Sequence, residues 1–195
     1  MTYRMTMRDL TLDNLDDLMQ GQKADVFYSD PPWGQGNLKY WRTMNGQAGY
    51  EVDWLKFVER IKWLCERHVT GSMFIETGVR FEKDVVSIWG EPQGRYEIVY
   101  KAGNKYLPNI LLGYGEQPTA DPSGMTGWKI PHTVLSTLPT APTSVLDCCM
   151  GLGTTAKIAK KLDIMCYANE LNPNRASKTI AKVGGSDKWE VLGNG

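Results

Sequence analysis

The chain has 195 residues, of which 42% are hydrophobic and 23% charged, with 22 basic residues set against 22 acidic ones. That length is enough for one sizeable core, and the composition excludes a disordered segment, a collagen-like repeat and a disulfide scaffold. An even charge balance weighs against a protein that grips a nucleic-acid backbone through excess positive charge alone, because phosphate contacts dominate such affinity. No apolar run approaches the ~20 residues of a membrane span. The opening residues have no apolar h-region before their acids begin, so the expectation is a cytoplasmic protein with reduced cysteines. Four cysteines without a CxxC pair and two histidines offer no structural zinc site.

In chain order, Leu10, Leu15, Leu18 and Met19 fall at near-helical spacing. Ala24–Tyr28 is β-branched and aromatic and runs into Ser29-Asp30-Pro31-Pro32, a buried strand stopped by prolines. Residues 34–53 hold four glycines and no clean period, which predicts a long loop. Trp54–His68 is an amphipathic helix with Trp54, Leu55, Val58, Ile61, Leu64 and Cys65 on one face. His68, at its end, suits a cation that favours the helix C-terminus. Ser72–Glu76, Tyr96–Tyr100 and Asn109–Tyr114 are strand-like, and residues 115–128, rich in proline and glycine, form a second long loop. Val145–Asp147 is a strand, Thr154–Leu162 a helix and Ile164–Asn169 a strand. Asn172-Pro173 opens a helix reaching about Val183, and Lys188–Leu192 is a last strand. Strands alternating with helices predict one α/β domain over residues 1–195, a Rossmann-like sheet with helices on both faces.

Two constellations carry chemistry. The first runs from Asp147 through Cys149, Gly151 and Gly153 to Thr154 and Thr155: an acid at a strand end, a Gly-x-Gly turn, then a helix whose N–H groups are open to a ligand. Glu170, seventeen residues beyond Gly153 at the end of the next strand, can accept both hydroxyls of a ribose. An adenosine-bearing cofactor suits this unit, and the missing third glycine of GxGxxG tells against NAD. The second is Asp30-Pro31-Pro32-Trp33. Two prolines stiffen the turn and carry no N–H. Asp30 and the Pro31 carbonyl then present two acceptors to the two hydrogens of an exocyclic amine, and Trp33 offers a face for a stacked base. Lys39-Tyr40-Trp41-Arg42 mixes cations with rings, as a surface for a splayed strand does.

Together the motifs resemble the S-adenosyl-L-methionine-dependent amino-methyltransferases of nucleobases. DPPW matches their D/N/S-P-P-Y/F/W motif, and VLDCCMGLGTT is similar to LDPFxGSGTT. YANELNP is similar to their acid-plus-Asn-Pro segment, and WKIPHTVLSTL to KPxxLxxxL. The order, DPPW ahead of the glycines, resembles the circularly permuted β-class DNA adenine-N6 enzymes, and the tryptophan is shared with mRNA adenosine methyltransferases. The resemblance implies a class I methyltransferase sheet with permuted motif order and catalysis by Asp30, Pro31, Pro32 and Trp33. It implies cofactor contacts from Asp9, Asp30, Pro131, His132, Asp147, Cys149, Gly151, Gly153, Thr154, Thr155, Glu170 and Asn172. Trp33 and Lys39–Arg42 would meet the substrate, and no metal takes part.

Cys149 stands where the family has phenylalanine, which leaves one ring fewer on the cofactor wall. Only residues 34–53 and 115–128 leave room for target recognition, so sequence specificity is either low or supplied by a homodimer or partner subunit. The implied activity is adenine-N6 methylation of DNA, of phage or restriction-modification type. Alternatives are the same chemistry on RNA or on cytosine, or a cofactor-binding subunit of a heteromeric complex.

Overall fold

A computed structural model of the protein describes residues 2–47, 49 and 51–192. Its sheet has eight strands: β1 (Tyr3–Thr6), β2 (Val26–Ser29), β3 (Met73–Gly78), β4 (Gly94–Ala102), β5 (Lys105–Tyr114), β6 (Ser144–Asp147), β7 (Met165–Asn169) and β8 (Trp189–Leu192). They lie in the order β4-β5-β3-β2-β6-β7-β1-β8. Only β5 runs against its neighbours; the other strand pairings are parallel.

Helices cover both faces, so the central strands are apolar throughout, as parallel strands buried on two sides must be. The period of two sorts their side chains. Phe27, Ile75, Leu112, Leu146 and Tyr167 join one core with α1 (Asp16–Met19), α3 (Trp54–His68) and α4 (Glu82–Trp89). Val26, Tyr28, Phe74, Leu111, Val145 and Cys166 join the other with α5 (Lys129–Ser136), α6 (Thr154–Leu162) and α7 (Pro173–Lys182).

Several elements depart from the sequence-based expectation. Gly34–Met44 is a helix, α2, where a loop is expected. It buries Gly34, Leu38 and Arg42, one residue per turn, which is too narrow a stripe for a hydrophobic period to reveal. Ala48 and Tyr50, within the expected loop, lie outside the described residues. Residues 115–128 are irregular, touching the sheet through an isolated bridge from Thr126 to Val99. Strand β1 and helices α4 and α5 have no counterpart in that expectation. Around Leu15 only one turn is helical, because Leu15 itself takes φ 59°.

On α3, Phe57 and His68 join the buried face, while Leu55 is 44% exposed. His68 is not the expected terminal cation. Its ring is buried, its Nε2 lies 2.6 Å from the Asn14 carbonyl oxygen, and burial pushes its pKa down. A charge there would lose its hydration, which outweighs the helix-end field.

The centre of the sheet positions the site. Strands β2 and β6 are neighbours, yet the chain leaves β2 towards β3 and leaves β6 towards β7, in opposite directions. This is the switch point of an open α/β sheet, and it opens a crevice outside the strand carboxyl ends.

Candidate active site

Both motifs start at that crevice and are joined at the root. Ser29 ends β2 and its Oγ donates to Asp147 Oδ1 at 2.7 Å. The Cys149 N–H reaches both, at 3.2 Å from Ser29 Oγ and 3.1 Å from Asp147 Oδ1. Ser29 and Asp147 are buried. Asp147 therefore acts as a clamp between two strand ends.

After Ser29 the chain turns through Asp30-Pro31-Pro32, with every described peptide bond trans. Trp33 Nε1 donates to Asp30 Oδ1 at 3.0 Å, and Trp54 Nε1 donates to the Pro32 carbonyl at 3.0 Å. The next residue has φ +73°, and a Cβ there would stand 2.3 Å from the Phe81 ring, so only glycine serves at Gly34. This bend lets α2 leave the motif and lie across the cleft.

On the other side, the Gly151 N–H donates to Glu170 Oε2 at 2.7 Å and the Asn172 N–H to Oε1 at 2.8 Å. The Glu170 carboxylate is thus aimed by two backbone groups, and its remaining lone pairs can take hydroxyls. Gly153, at φ +75°, enters α6, and a Cβ on it would lie 2.3 Å from Thr179 Cγ2. Asn172 caps α7 by accepting from the Arg175 N–H at 3.1 Å.

Asn169, not singled out by the sequence, binds Thr6, Arg8 and Cys148 through both ends of its amide. It ties β1, β7 and the glycine turn into one block. An amide buried at the end of a strand was the signal available for it.

Between these walls is a cleft of about 450 Å³, within the range of small-molecule sites. Asp30, Pro31, Pro32 and Trp33 line it, together with Asp9, Asp147, Cys149, Gly151, Thr154, Thr155, Glu170 and Pro131. Gly153 and Asn172 stand behind it as helix caps. His132 lies outside the lining, beside Trp128 with ring centroids 5.8 Å apart.

The Lys39–Arg42 run divides. Trp41 and Arg42 face the cleft, whereas Lys39 and Tyr40 are exposed on the outer side of α2. Arg42 is buried and grips Asp9 with two nitrogens, at 3.2 and 2.8 Å. Asp9 also accepts from Thr11 and Gln47. Arg175 stacks over Trp41 at 3.8 Å from the ring centroid, and Asn172 reaches Asn45 at 2.6 Å. Helix α2 is thereby fastened at the Glu170 end of the cleft.

Acids crowd the cleft floor. Asp30 is exposed to the cleft; desolvation by the protein around its carboxyl raises its pKa, the charges of Glu76 and Asp147 add to that rise, and the Trp33 N–H opposes it. Asp30 opens onto the cleft on one side, so water there tempers this rise. Glu76, which reads in the sequence as part of a strand, is buried and raised by that burial to about 7. Tyr28 Oη donates to Glu76 Oε1 at 2.6 Å and Asn109 Nδ2 to Oε2 at 3.3 Å. Its signal was a carboxylate inside the apolar run Met73–Thr77. Burial also raises Asp147 and Glu170, whereas the hydrogen bonds from Arg42 and Thr11 overcome burial at Asp9 and hold it low. The Cys149 thiol is pushed up by burial and stays neutral.

No family model and no curated protein matches the sequence. Solved structures do match. M1.HpyAVI in complex with SAM superposes with a TM-score of 0.68 at 16% identity, over 92% of this chain and 98% of that one. TTHA0409 from Thermus thermophilus, complexed with S-adenosyl-L-methionine, gives 0.61 at 15% identity over 100% and 99%. The cytosine-N4-specific PvuII DNA methyltransferase gives 0.67 at 10% identity over 95% and 88%. The chain has the fold of these proteins.

Proposed function

We propose that the protein is a single-domain, S-adenosyl-L-methionine-dependent methyltransferase that modifies the exocyclic amine of adenine in DNA. The observation that carries this is the meeting of Asp30 and Glu170 on opposite walls of one cleft, rooted in the Ser29–Asp147–Cys149 contact. The DPPW motif, its place ahead of the glycine turn and the SAM-bound structures of like fold support it. The fit to the cofactor rests on Glu170, aimed by two N–H groups at a ribose, and on the open turn at Gly151.

When bound, the cofactor supplies a methyl group on a positively charged sulfur, and the carbon–sulfur electron pair stays with sulfur as the nitrogen–carbon bond forms. The chain's residues do the rest by positioning and electrostatics. Asp30 and the Pro31 carbonyl accept the two amine hydrogens, which concentrates the lone pair on nitrogen and stabilises the positive charge growing there. Asp30, beside the amine and open to the cleft, can take the proton that the methylated nitrogen gives up. Trp33 stacks on a base drawn out of its helix.

A cytosine amine is the second reading, favoured by the likeness to PvuII methyltransferase. Incubation with labelled S-adenosyl-L-methionine and separate DNA and RNA substrates, followed by mass spectrometry of the nucleosides, tests both. N6-methyladenine in DNA is the expected product. N4-methylcytosine would transfer the reading to cytosine. Bound cofactor without any methylated nucleoside would leave a binding subunit instead of an enzyme.

A further inference from the structure

The β4–β5 hairpin runs past the body of the sheet. Strand β5 is exposed over Lys105–Pro108 and buried from Asn109 onward. At the tip Lys101 pairs with Tyr106 and Tyr100 with Leu107. Tyr106 is 64% exposed, Leu107 44% and Tyr100 40%. Large rings at the end of a protruding hairpin contribute little to a core, and contiguous exposed apolar surface marks an interaction site.

Two further observations say what would cover it. Between Ile98 and Tyr114 the chain carries two lysines, Lys101 and Lys105, and no acid. The Lys101 ammonium sits 5.7 Å from the Tyr106 ring centroid, so cation and ring share one face. The hairpin is also continuous with the active site. Tyr100 packs edge-on against Trp33 with centroids 5.0 Å apart, and Val99, Tyr100 and Lys101 line the cleft.

We propose that the tip of the β4–β5 hairpin docks the nucleic-acid strand flanking the target base, with Tyr100 and Tyr106 stacking on bases and Lys101 and Lys105 meeting phosphates. The proposal rests on the function proposed above and adds its polymer-binding surface. Interleaved rings and cations are the chemistry of a single-strand platform, where each base offers a face and each phosphate a charge. With a formal net charge of zero, a grip on phosphates has to come from local clusters such as this one.

The test measures binding of a fluorescent single-stranded oligonucleotide to the full chain across a salt series, with cofactor affinity by calorimetry alongside. Tyr106→Ala should weaken oligonucleotide binding about 5- to 150-fold, the range of one lost stack. Lys101→Gln with Lys105→Gln should reduce the log–log salt slope by about 1.4, at ~0.7 per phosphate contact on a single strand. For Tyr106→Ala and for Lys105→Gln alone, which lie off the cleft, cofactor affinity and melting temperature should stay at wild-type values, and the loss in methyl transfer should fall mainly on KM. Unchanged oligonucleotide affinity and salt slope, in a protein whose wild type methylates DNA, would overturn the hairpin's role alone. So would a variant that keeps its affinity but changes its association state, which would assign the tip to a protein contact. A wild-type chain that binds cofactor but neither binds nor methylates any nucleic acid would overturn the proposed function and this proposal with it.

Discussion

The two walls of the cleft are built on different principles. The wall formed by β6, the Gly151–Gly153 turn, α6 and β7 is a receptor of backbone groups held by satisfied side chains: Asn169 uses both ends of its amide, and Glu170 both carboxylate oxygens. The wall formed by β2, the Asp30–Trp33 turn and β3 places carboxylates together instead: the charges of Glu76 and of Asp147, at the end of neighbouring β6, raise Asp30, and that of Asp147 raises Glu76. Satisfied hydrogen bonds make a rigid mould at low electrostatic cost. Neighbouring acids disfavour one another's charge, and on the proposed function that arrangement would favour a positive charge developing beside Asp30. On the proposed function one wall would recognise and the other react, and substitutions should separate them.

The largest expected effect is on the reacting wall. Asp30→Ala should lower methyl transfer by at least ~100-fold, the scale of one lost preorganised partner of the transition state, while calorimetry finds cofactor affinity within a few-fold of wild type. Asp30→Asn keeps shape and one acceptor oxygen; its residual rate measures how much of the effect is charge. Wild-type turnover in Asp30→Ala would reduce DPPW to a proline-capped strand.

On the recognising wall, Glu170→Ala should cost about 1–3 kcal/mol of cofactor affinity by leaving hydroxyls unpaired. Titration of the folded variant would expose a wrong ribose assignment as unchanged affinity.

The neighbouring acids should also register in stability. Glu76 holds its proton up to about 7 in the folded chain against an ordinary 4.5. Between those values the folded state binds more protons than the unfolded one, so stability is greatest below the window. It falls as pH rises through it, by up to ~1.4 kcal/mol per unit. His68, lowered by burial, works the opposite way as pH drops below its ordinary 6.5. The difference between wild type and Glu76→Gln in melting temperature across pH 4–8 isolates the Glu76 part. Parallel curves for the two proteins would mean that Glu76 titrates in the folded chain as it does in the unfolded one.

The smallest effect belongs to α2. Trp41→Ala removes the Arg175 stack and should weaken cofactor binding by about 0.5–1 kcal/mol. Lys39→Ala and Tyr40→Ala, on the outer side, should change neither binding nor rate. A substrate defect in Lys39→Ala would return that helix to the role its composition suggested.

Much of the cleft was legible because its residues break local rules: prolines ending an apolar strand, glycines between an acid and a helix, a carboxylate capping the next strand. Helix Thr154–Leu162 was read to its ends because its period is clean. Helix α2 was not, since its buried positions are a glycine, a leucine and an arginine. Arg42 read as a cation for the substrate because nothing local discloses a partner 33 residues away. The same blindness hid Glu76, whose partners Tyr28 and Asn109 come from neighbouring strands. Tyr100, Lys101, Lys105 and Tyr106 have the composition assigned to Lys39–Arg42, but Tyr100 reads as the end of a strand and the other three fall between two strand-like runs. Only the length of the hairpin beyond its neighbours reveals that they stand outside the body of the sheet.

Strand β1 has a consequence for how the molecule is made. Its Arg4 pairs with Tyr167 on one side and with Glu190 on the other, so a strand made more than 150 residues ahead of its partners is among the last to find its places. Until the ribosome has released residues 165–192, β1 has two open edges and Asn169 has neither Thr6 nor Arg8 to hold. Long-range parallel pairing of this kind is slow. Cofactor competence should therefore arise only after β7 and β8 have left the ribosome, and a nascent chain stalled before β7 should be open to proteases along β1.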